Sequence, residues 1–319
     1  MSSTLNAFVH TLRFEAEDVV SIELRPGPSA VFPPFDAGSH IDLHLPNGMM
    51  RSYSLLNSTD DSGRYVIGVL KDRASRGGSR CVHDQLRVGM PLLISPPRNN
   101  FKLHEDADHS VLIAGGIGIT PILCMLRRLK KLGRSAELLY FARSRSSAAF
   151  VQEIEAIGVP VTWHFDAEKG GPPDLHALLA ARAPGPRTHY YACGPTVMLD
   201  AFESTCAKLG YTHAHIERFS ALEVAPSSEA RASYTAELRR SGRTFTITPD
   251  KSLLATLLDA GIEVENSCQE GVCGACETRV LAGVPDHRDS VLSAGEHASN
   301  KVMMVCVSGC KSETLVLDL

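Results

Sequence analysis

The chain of 319 residues lacks an apolar run long enough to cross a lipid bilayer. Its most apolar segment, residues 111–126, is interrupted by three glycines and one proline. The first twenty residues contain no continuous apolar core of the kind that a secretory signal peptide needs. These absences predict a cytoplasmic protein without a membrane segment.

A basic stripe is also missing. The formal net charge is −4, and residues 235–319 carry 12 acidic and 8 basic residues, whereas the first 234 residues carry 24 of each. This distribution argues against a nucleic-acid partner. The acidic C-terminal segment either steers the docking of a basic partner or serves solubility alone, and the sequence leaves both alternatives open.

Only one Cys-x2-Cys knuckle occurs among the nine cysteines, which disfavours a structural zinc site. That knuckle belongs to the pattern Cys268-x4-Cys273-x2-Cys276, and Cys306 follows at a distance. This is the ligand spacing of a plant-type 2Fe-2S cluster, whose potential depends on backbone N–H groups that turn toward sulfur. The remaining cysteines are scattered, as is typical of reduced thiols in a cytosol. They are Cys81, Cys124, Cys193, Cys206 and Cys310.

The length suits two or three domains. Residues 1–104 contain short alternating runs at 21–24, 40–45 and 65–70, separated by turns such as Pro46-Asn47-Gly48. This pattern predicts a small antiparallel β-barrel.

The pattern changes in residues 105–224, where buried-type strands alternate with helices. An apolar strand at 111–114 leads through glycines into a helix at about 120–132, and a last helix at about 195–209 ends at Gly210. We expect an α/β domain with a parallel sheet. A polar linker is predicted at 225–234, and a ferredoxin domain with the cysteine loop at 235–319.

Two turns at predicted strand ends are candidates for nucleotide binding. Glycines at a strand-to-helix turn let the backbone approach a pyrophosphate, and a proline suits the first helical turn. Such a turn by itself is weak evidence for nucleotide binding, because an ordinary tight turn has the same composition. The residues are Gly115, Gly116, Gly118, Thr120 and Pro121, together with Cys193, Gly194 and Pro195.

Candidate phosphate and ring contacts occur in the β segment. An arginine suits a phosphate, an aromatic ring stacks on a flat heterocycle, and hydroxyl groups donate hydrogen bonds. The tetrapeptide Arg51-Ser52-Tyr53-Ser54, which supplies the first of these contacts, also has the composition of an ordinary strand surface. The residues are Arg51, Ser52, Tyr53 and Ser54, followed by the glycine-rich Gly77, Gly78 and Ser79.

Taken in this order along nearly the whole chain, these motifs resemble the phthalate dioxygenase reductase family, which includes the vanillate O-demethylase reductases. The resemblance implies FMN on the barrel, NADH on the central domain and a 2Fe-2S cluster at the C-terminus. It places Arg51 on the flavin phosphate, and Thr120 and Cys193 beside the nicotinamide. It further implies nucleotide-ribose contacts from Arg143 and Ser144, and an aromatic side chain near the flavin face from Phe219, although this residue also suits an ordinary core.

The implied function is that of a reductase component. NADH delivers a hydride, the cluster accepts single electrons, and a flavin between them handles both. No general acid or base is required, so the thirteen histidines are interpreted mostly as structural or exposed. The resemblance implies that the electron acceptor is a separate Rieske-type oxygenase. This chain itself contains only half of a Rieske ligand set, Cys81-Val82-His83, and no Cys-x2-His follows it.

Alternatives remain at the level of sequence. The chain is a reductase of ferredoxin or small acceptors without a dedicated oxygenase, or a non-enzymatic redox sensor, which would leave the nucleotide motifs idle. The sequence does not decide whether the flavin is FMN or FAD. NADPH is open as well, because Asp166 discourages a 2′-phosphate whereas Arg143 and Arg145 favour one.

Overall fold

The computed structural model describes residues 4–28, 30–61, 63–73, 75–182, 185–219 and 233–319. The chain divides into two compact units, Met1–Glu217 and Arg218–Leu319. The first unit holds an antiparallel sheet and a parallel sheet, and the second holds a smaller mixed sheet. Within the ranges given above, no helix is long and apolar enough to cross a membrane.

The antiparallel sheet has the order β4-β3-β6-β1-β2-β5, with β7 paired to β3. A bridge between Leu55 and Ile67 joins the two ends, so the sheet closes into the predicted barrel. The Pro46-Asn47-Gly48 turn joins β3 to β4, with Gly48 at φ 80°, as a hairpin requires. The strands are β1 (Leu5–Ala16), β2 (Val19–Pro26), β3 (Ser39–His44), β4 (Met50–Ser54), β5 (Tyr65–Leu70), β6 (Pro91–Ile94) and β7 (Arg98–Asn99), with helix α1 (Gly78–Gln85) between β5 and β6.

The second sheet has the order β10-β9-β8-β11-β12 and is parallel throughout. Alternate residues of the central strand enter cores on opposite faces, Leu112 on one side and Val111 and Ile113 on the other. The predicted buried parallel strand is therefore confirmed. The strands are β8 (His109–Gly115), β9 (Ser135–Ala142), β10 (Val161–Phe165), β11 (Thr188–Cys193) and β12 (Ala214–Glu217). The helices are α2 (Ile119–Lys131), α3 (Val151–Ile157), α4 (Asp166–Lys169), α5 (Leu175–Ala180) and α6 (Thr196–Leu209).

The barrel packs closely on the parallel sheet within the first unit. A Cβ atom at Gly68 would lie 2.7 Å from Thr120 Cγ2 and 3.1 Å from the Phe150 ring. The absence of a side chain on β5 therefore lets the barrel approach the start of α2. The predicted domain boundary at 104/105 falls between β7 and β8.

The second unit has the strand order β14-β13-β19-β15-β17, in which only β13 and β19 run parallel. Tyr234, which the sequence placed in the linker, is the first residue of β13, because its buried ring begins a strand paired with Ile247. Residues 225–232 of the predicted linker lie outside the described residues. The strands are β13 (Tyr234–Leu238), β14 (Thr244–Ile247), β15 (Glu277–Ala282), β16 (Pro285–Asp286), β17 (Val302–Met304), β18 (Gly309–Cys310) and β19 (Thr314–Leu317), with helices α7 (Leu253–Asp259) and α8 (Ala294–Ser299).

Candidate functional site

The cysteine loop of the second unit gathers sulfur atoms and backbone donors. The N–H of Glu270 donates to Cys268 Sγ at 3.3 Å, and the N–H of Cys268 lies 3.5 Å from Cys273 Sγ. Positive φ angles at Gln269 (56°) and Gly271 (71°) turn the backbone tightly enough to direct these N–H groups inward. The loop therefore supplies thiolate ligands and the N–H groups that stabilise negative sulfur.

The distant fourth cysteine reaches the same region through β17. This strand pairs with β15, which begins directly after Cys276, and the N–H of Val305 lies 3.5 Å from the Cys276 carbonyl. Cys306 follows, and all four predicted ligands are buried, between 4 and 8% exposed. Cys310, in contrast, lies on β18 and directs its thiol to the Ser312 carbonyl at 3.1 Å. These residues fit a two-iron cluster with Cys306, and not Cys310, as the distant ligand.

Strand β4 and helix α1 form the candidate flavin-phosphate site. A Cβ at Gly78 would lie 2.8 Å from both Cγ and Nε of Arg51, so the arginine passes directly over the start of α1. The helix begins after Gly77, at φ 112°, without a side-chain cap. Gly77 has no side chain to cap the first N–H groups of the helix, and these groups lie beside the Arg51 guanidinium. This arrangement fits a phosphate group.

The rest of the β4 tetrapeptide divides between two tasks. The Ser52 hydroxyl donates a hydrogen bond to the buried carboxylate of Asp42 at 2.6 Å. Ser52 therefore stabilises the barrel, and its side chain does not point to the same side of the strand as Arg51. Tyr53 shares the Arg51 side of the strand, and burial raises the pKa of its phenol. Ser54 is 4% exposed and points to the parallel sheet.

The two predicted nucleotide turns contact each other at the carboxyl edge of the parallel sheet. A Cβ at Gly118 would lie 2.1 Å from the Cys193 carbonyl oxygen, and one at Gly194 would lie 3.0 Å from Gly115 Cα. These three glycines are therefore required by packing between the turns. Gly116 is different, because its φ is 54° and, among the described residues beyond its two chain neighbours, no atom lies within 4 Å of the position that a Cβ would take. It is the glycine of this turn that leaves backbone surface open to a ligand.

A half-buried glutamate that the sequence did not predict lies at this edge. Glu217 ends β12, pairs in register with Cys193 on β11, and accepts a hydrogen bond from Ser54 at 3.4 Å. Burial raises the pKa of Glu217 to about 8, and the Ser54 hydroxyl lowers it slightly. Burial and the nearby Glu217 raise the pKa of the Cys193 thiol. The only sequence signal was its position at the end of a strand beside the Cys193 turn.

The remaining predicted residues have mixed placements. Thr120 is buried, and its hydroxyl donates to the Ile117 carbonyl at 3.1 Å, which stabilises the turn itself. Ser144 caps the short helix that follows β9 through Ser147, whereas Arg143 is exposed directly after the strand. Phe219 is 40% exposed, so it is not an ordinary core side chain.

Comparisons with known proteins agree with this geometry. Residues 236–311 match the family of the 2Fe-2S iron-sulfur cluster binding domain. The chain is 47% identical to phenoxybenzoate dioxygenase subunit beta from Ectopseudomonas oleovorans, over 98% of this chain and 96% of the relative. It is also 47% identical to tetrachlorobenzoquinone reductase from Sphingobium chlorophenolicum, over 99 and 98% of the two chains.

One solved structure extends the agreement to nearly the whole chain. The structure of phthalate dioxygenase reductase, described as modular for electron transfer from pyridine nucleotides to 2Fe-2S, superposes with a TM-score of 0.73. The two sequences are 36% identical, and the match covers 99% of this chain and 98% of the phthalate dioxygenase reductase chain. The resemblance inferred from the motifs is confirmed. The chain belongs to the phthalate dioxygenase reductase-like family of oxidoreductases, which join a flavin- and nicotinamide-binding reductase to a C-terminal 2Fe-2S ferredoxin domain.

Proposed function

We propose that the chain is the reductase component of a two-component Rieske-type oxygenase or demethylase. In this role it takes a hydride from NADH and passes single electrons, through FMN and the 2Fe-2S cluster, to the oxygenase. The observation that carries the proposal is the presence in one polypeptide of the Arg51–α1 phosphate site, the paired nucleotide turns and the cysteine loop.

The side chains of the first unit bind and orient rather than react. Arg51 and the N–H groups of α1 hold the flavin phosphate, and the open backbone at Gly116 receives the dinucleotide. Thr120 and Cys193 are buried and would exclude water from this edge of the sheet when the cofactors are bound. A bound flavin supplies the exchange between a two-electron hydride and single electrons.

The second unit holds the exit of the electron path. Cys268, Cys273, Cys276 and Cys306 bind the cluster, and the N–H of Glu270 stabilises sulfur. No side chain has to act as a general acid or base in this transfer, so we assign no catalytic residue.

We propose NADH over NADPH and FMN over FAD. Arg145 lies 4.7 Å from the centre of the Phe165 ring and pairs with Glu168 at 3.4 Å, so it is engaged within the protein, and Asp166 directly follows β10. A carboxylate at this strand end opposes a 2′-phosphate. A higher kcat/KM for NADPH would overturn the first choice, and FAD in the heat-released flavin would overturn the second.

The oxygenase partner is tested by reconstitution. The purified chain is mixed with candidate Rieske oxygenases from the same genome, and NADH consumption is compared with product formed. We expect tight coupling with one of them. Fast cytochrome c reduction with no coupling to any oxygenase would argue for a different acceptor.

A second candidate function is the reduction of quinones, because a relative of equal identity is a tetrachlorobenzoquinone reductase. The two functions differ in where the electrons leave. Quinone reduction at the flavin would survive loss of the cluster, whereas oxygenase reduction would not. A Cys306→Ser variant that keeps full turnover with a physiological quinone would favour the second function.

A further inference from the structure

Four of the thirteen histidines meet at one place in the first unit, although His104, His189 and the neighbouring His213 and His215 come from three separate parts of the sequence. His189 lies on β11 and His215 on the neighbouring β12, and His104 belongs to the segment between the barrel and β8. The His104 ring centre lies 4.7 Å from that of His189 and 5.0 Å from that of His215. The ring of His213 stacks on His189 at 4.5 Å and 5°. A solvent-facing protein surface does not need four imidazole rings packed against one another.

The nitrogen atoms of this cluster have metal-ligand spacing. Nδ1 of His189 lies 3.0 Å from Nε2 of His215, and one nitrogen from each of His104, His189 and His215 lies within 4.8 Å of the others. Zinc–imidazole bonds of about 2.1 Å place two nitrogens of a tetrahedral site about 3.4 Å apart. The observed separation needs only a small adjustment to accept an ion.

We propose that His104, His189 and His215 bind a divalent transition-metal ion of the zinc type, with water or His213 completing the tetrahedron. This ligand set is distinct from the cysteine loop and from both nucleotide sites. It contains three imidazole nitrogen ligands, which suit zinc better than magnesium or calcium.

The side chains around the cluster hold the ligands in position. The backbone N–H of His104 donates to the buried Tyr191 hydroxyl at 2.9 Å, and this bond attaches the His104 segment to β11. The Tyr191 ring stacks on His215 at 4.7 Å. Burial and the neighbouring imidazoles lower the pKa of His215 to about 4 and also lower that of His189.

The site would join elements that carry the nucleotide chemistry. In register, Tyr191 pairs with His215 and Cys193 pairs with Glu217, so His215 and Glu217 lie on the same face of β12. β12 is the edge strand of the sheet. A bound ion would tie this edge to β11 and to the segment that leaves the barrel.

A zinc titration of the holoenzyme tests the proposal, after passage over a chelating resin. We expect about one equivalent of Zn²⁺ to bind, and the thermal midpoint to rise with zinc concentration. His104→Gln and His189→Gln should each weaken zinc binding at least about tenfold. His104 is exposed, so its substitution leaves the core intact. Unchanged flavin and cluster absorbance confirms that each variant is folded and that zinc has not displaced iron.

A second group controls for unspecific uptake. His287, Asp289 and His297 also bring ligand atoms within 4.8 Å, but the Asp289 carboxylate already accepts the N–H groups of Val291 and Leu292. His297→Gln should therefore leave zinc binding unchanged. The proposal is overturned if the wild type takes up no zinc, if His104→Gln and His189→Gln bind like the wild type, or if the loss occurs only in His297→Gln.

Discussion

The Ser54 hydroxyl donates a hydrogen bond to the Glu217 carboxyl group at 3.4 Å, across 163 residues of sequence. The bond joins the end of barrel strand β4 to the end of edge strand β12 in the parallel sheet. It places an ionisable group of raised pKa at the junction where the flavin and nicotinamide sites are proposed to meet.

The raised pKa predicts a pH dependence of flavin reduction. Below about pH 8 the Glu217 carboxyl group is protonated and neutral, and above it the group is a carboxylate. A negative charge there opposes the arrival of a hydride, so the rate should fall above pH 8, on the order of tenfold for a nearby charge in a medium of intermediate dielectric. Glu217→Gln should keep the rate flat across this range. Stopped-flow reduction by NADH between pH 6 and 9 measures it.

Stability gives a second measurement of the same group. Because the pKa of Glu217 is about 8 in the folded protein and 4.5 in the reference state, the folded chain binds a proton that the unfolded chain releases between these values. The free energy of unfolding contributed by this group therefore falls as pH rises from 4.5 to 8. Glu217→Gln should lose that slope, whereas exposed Glu155→Gln should retain it. An unaltered slope in Glu217→Gln would contradict the assignment.

Gly78 predicts a change in flavin affinity. A methyl group there would lie 2.8 Å from the Arg51 side chain, which must then move off the N-terminus of α1. Gly78→Ala should weaken FMN binding at least about tenfold, a loss of about 1.4 kcal/mol. Fluorescence titration of the flavin-free protein measures the dissociation constant.

The barrel offers a matched control. The Cβ of Gly27→Ala would meet its nearest atom at 3.7 Å, which is ordinary contact, so FMN affinity should stay unchanged. Equal affinities for Gly78→Ala and the wild type would remove Arg51 and α1 from the phosphate site.

Local patterns predicted the regular elements well. The helix expected at about 195–209 is Thr196–Leu209 and ends at Gly210 with φ 72°, because capping and apolar periodicity are short-range signals. Helix α1 was not predicted, because the residues at its start, Gly77-Gly78-Ser79, are typical of a loop. Glu217 and the histidine cluster were missed for another reason. Their partners come together only through the pairing of β11 with β12 and the packing of the barrel, which no local pattern encodes.

The cysteine assignment predicts different outcomes for two neighbouring thiols. Cys306 follows β17 and is buried near Cys276, whereas Cys310 lies on β18 and its thiol is 3.1 Å from the Ser312 carbonyl oxygen. Cys306→Ser should lose or degrade the cluster, while Cys310→Ser should retain its visible absorbance and iron content. Loss of the cluster in Cys310→Ser alone would reverse the assignment.

Exposed acidic residues near the cysteine loop predict electrostatic steering of the oxygenase. Glu263 and Glu265 precede Cys268 and are exposed. If a basic surface of the oxygenase meets them, Glu263→Gln/Glu265→Gln should slow association severalfold at low salt and reduce its salt dependence, because steering acts on encounter. Glu155→Gln/Glu237→Gln removes the same charge elsewhere and should slow association less. Stopped-flow reduction of the oxygenase at several ionic strengths decides between steering and solubility: a wild-type rate indifferent to salt would leave the acidic excess serving solubility alone.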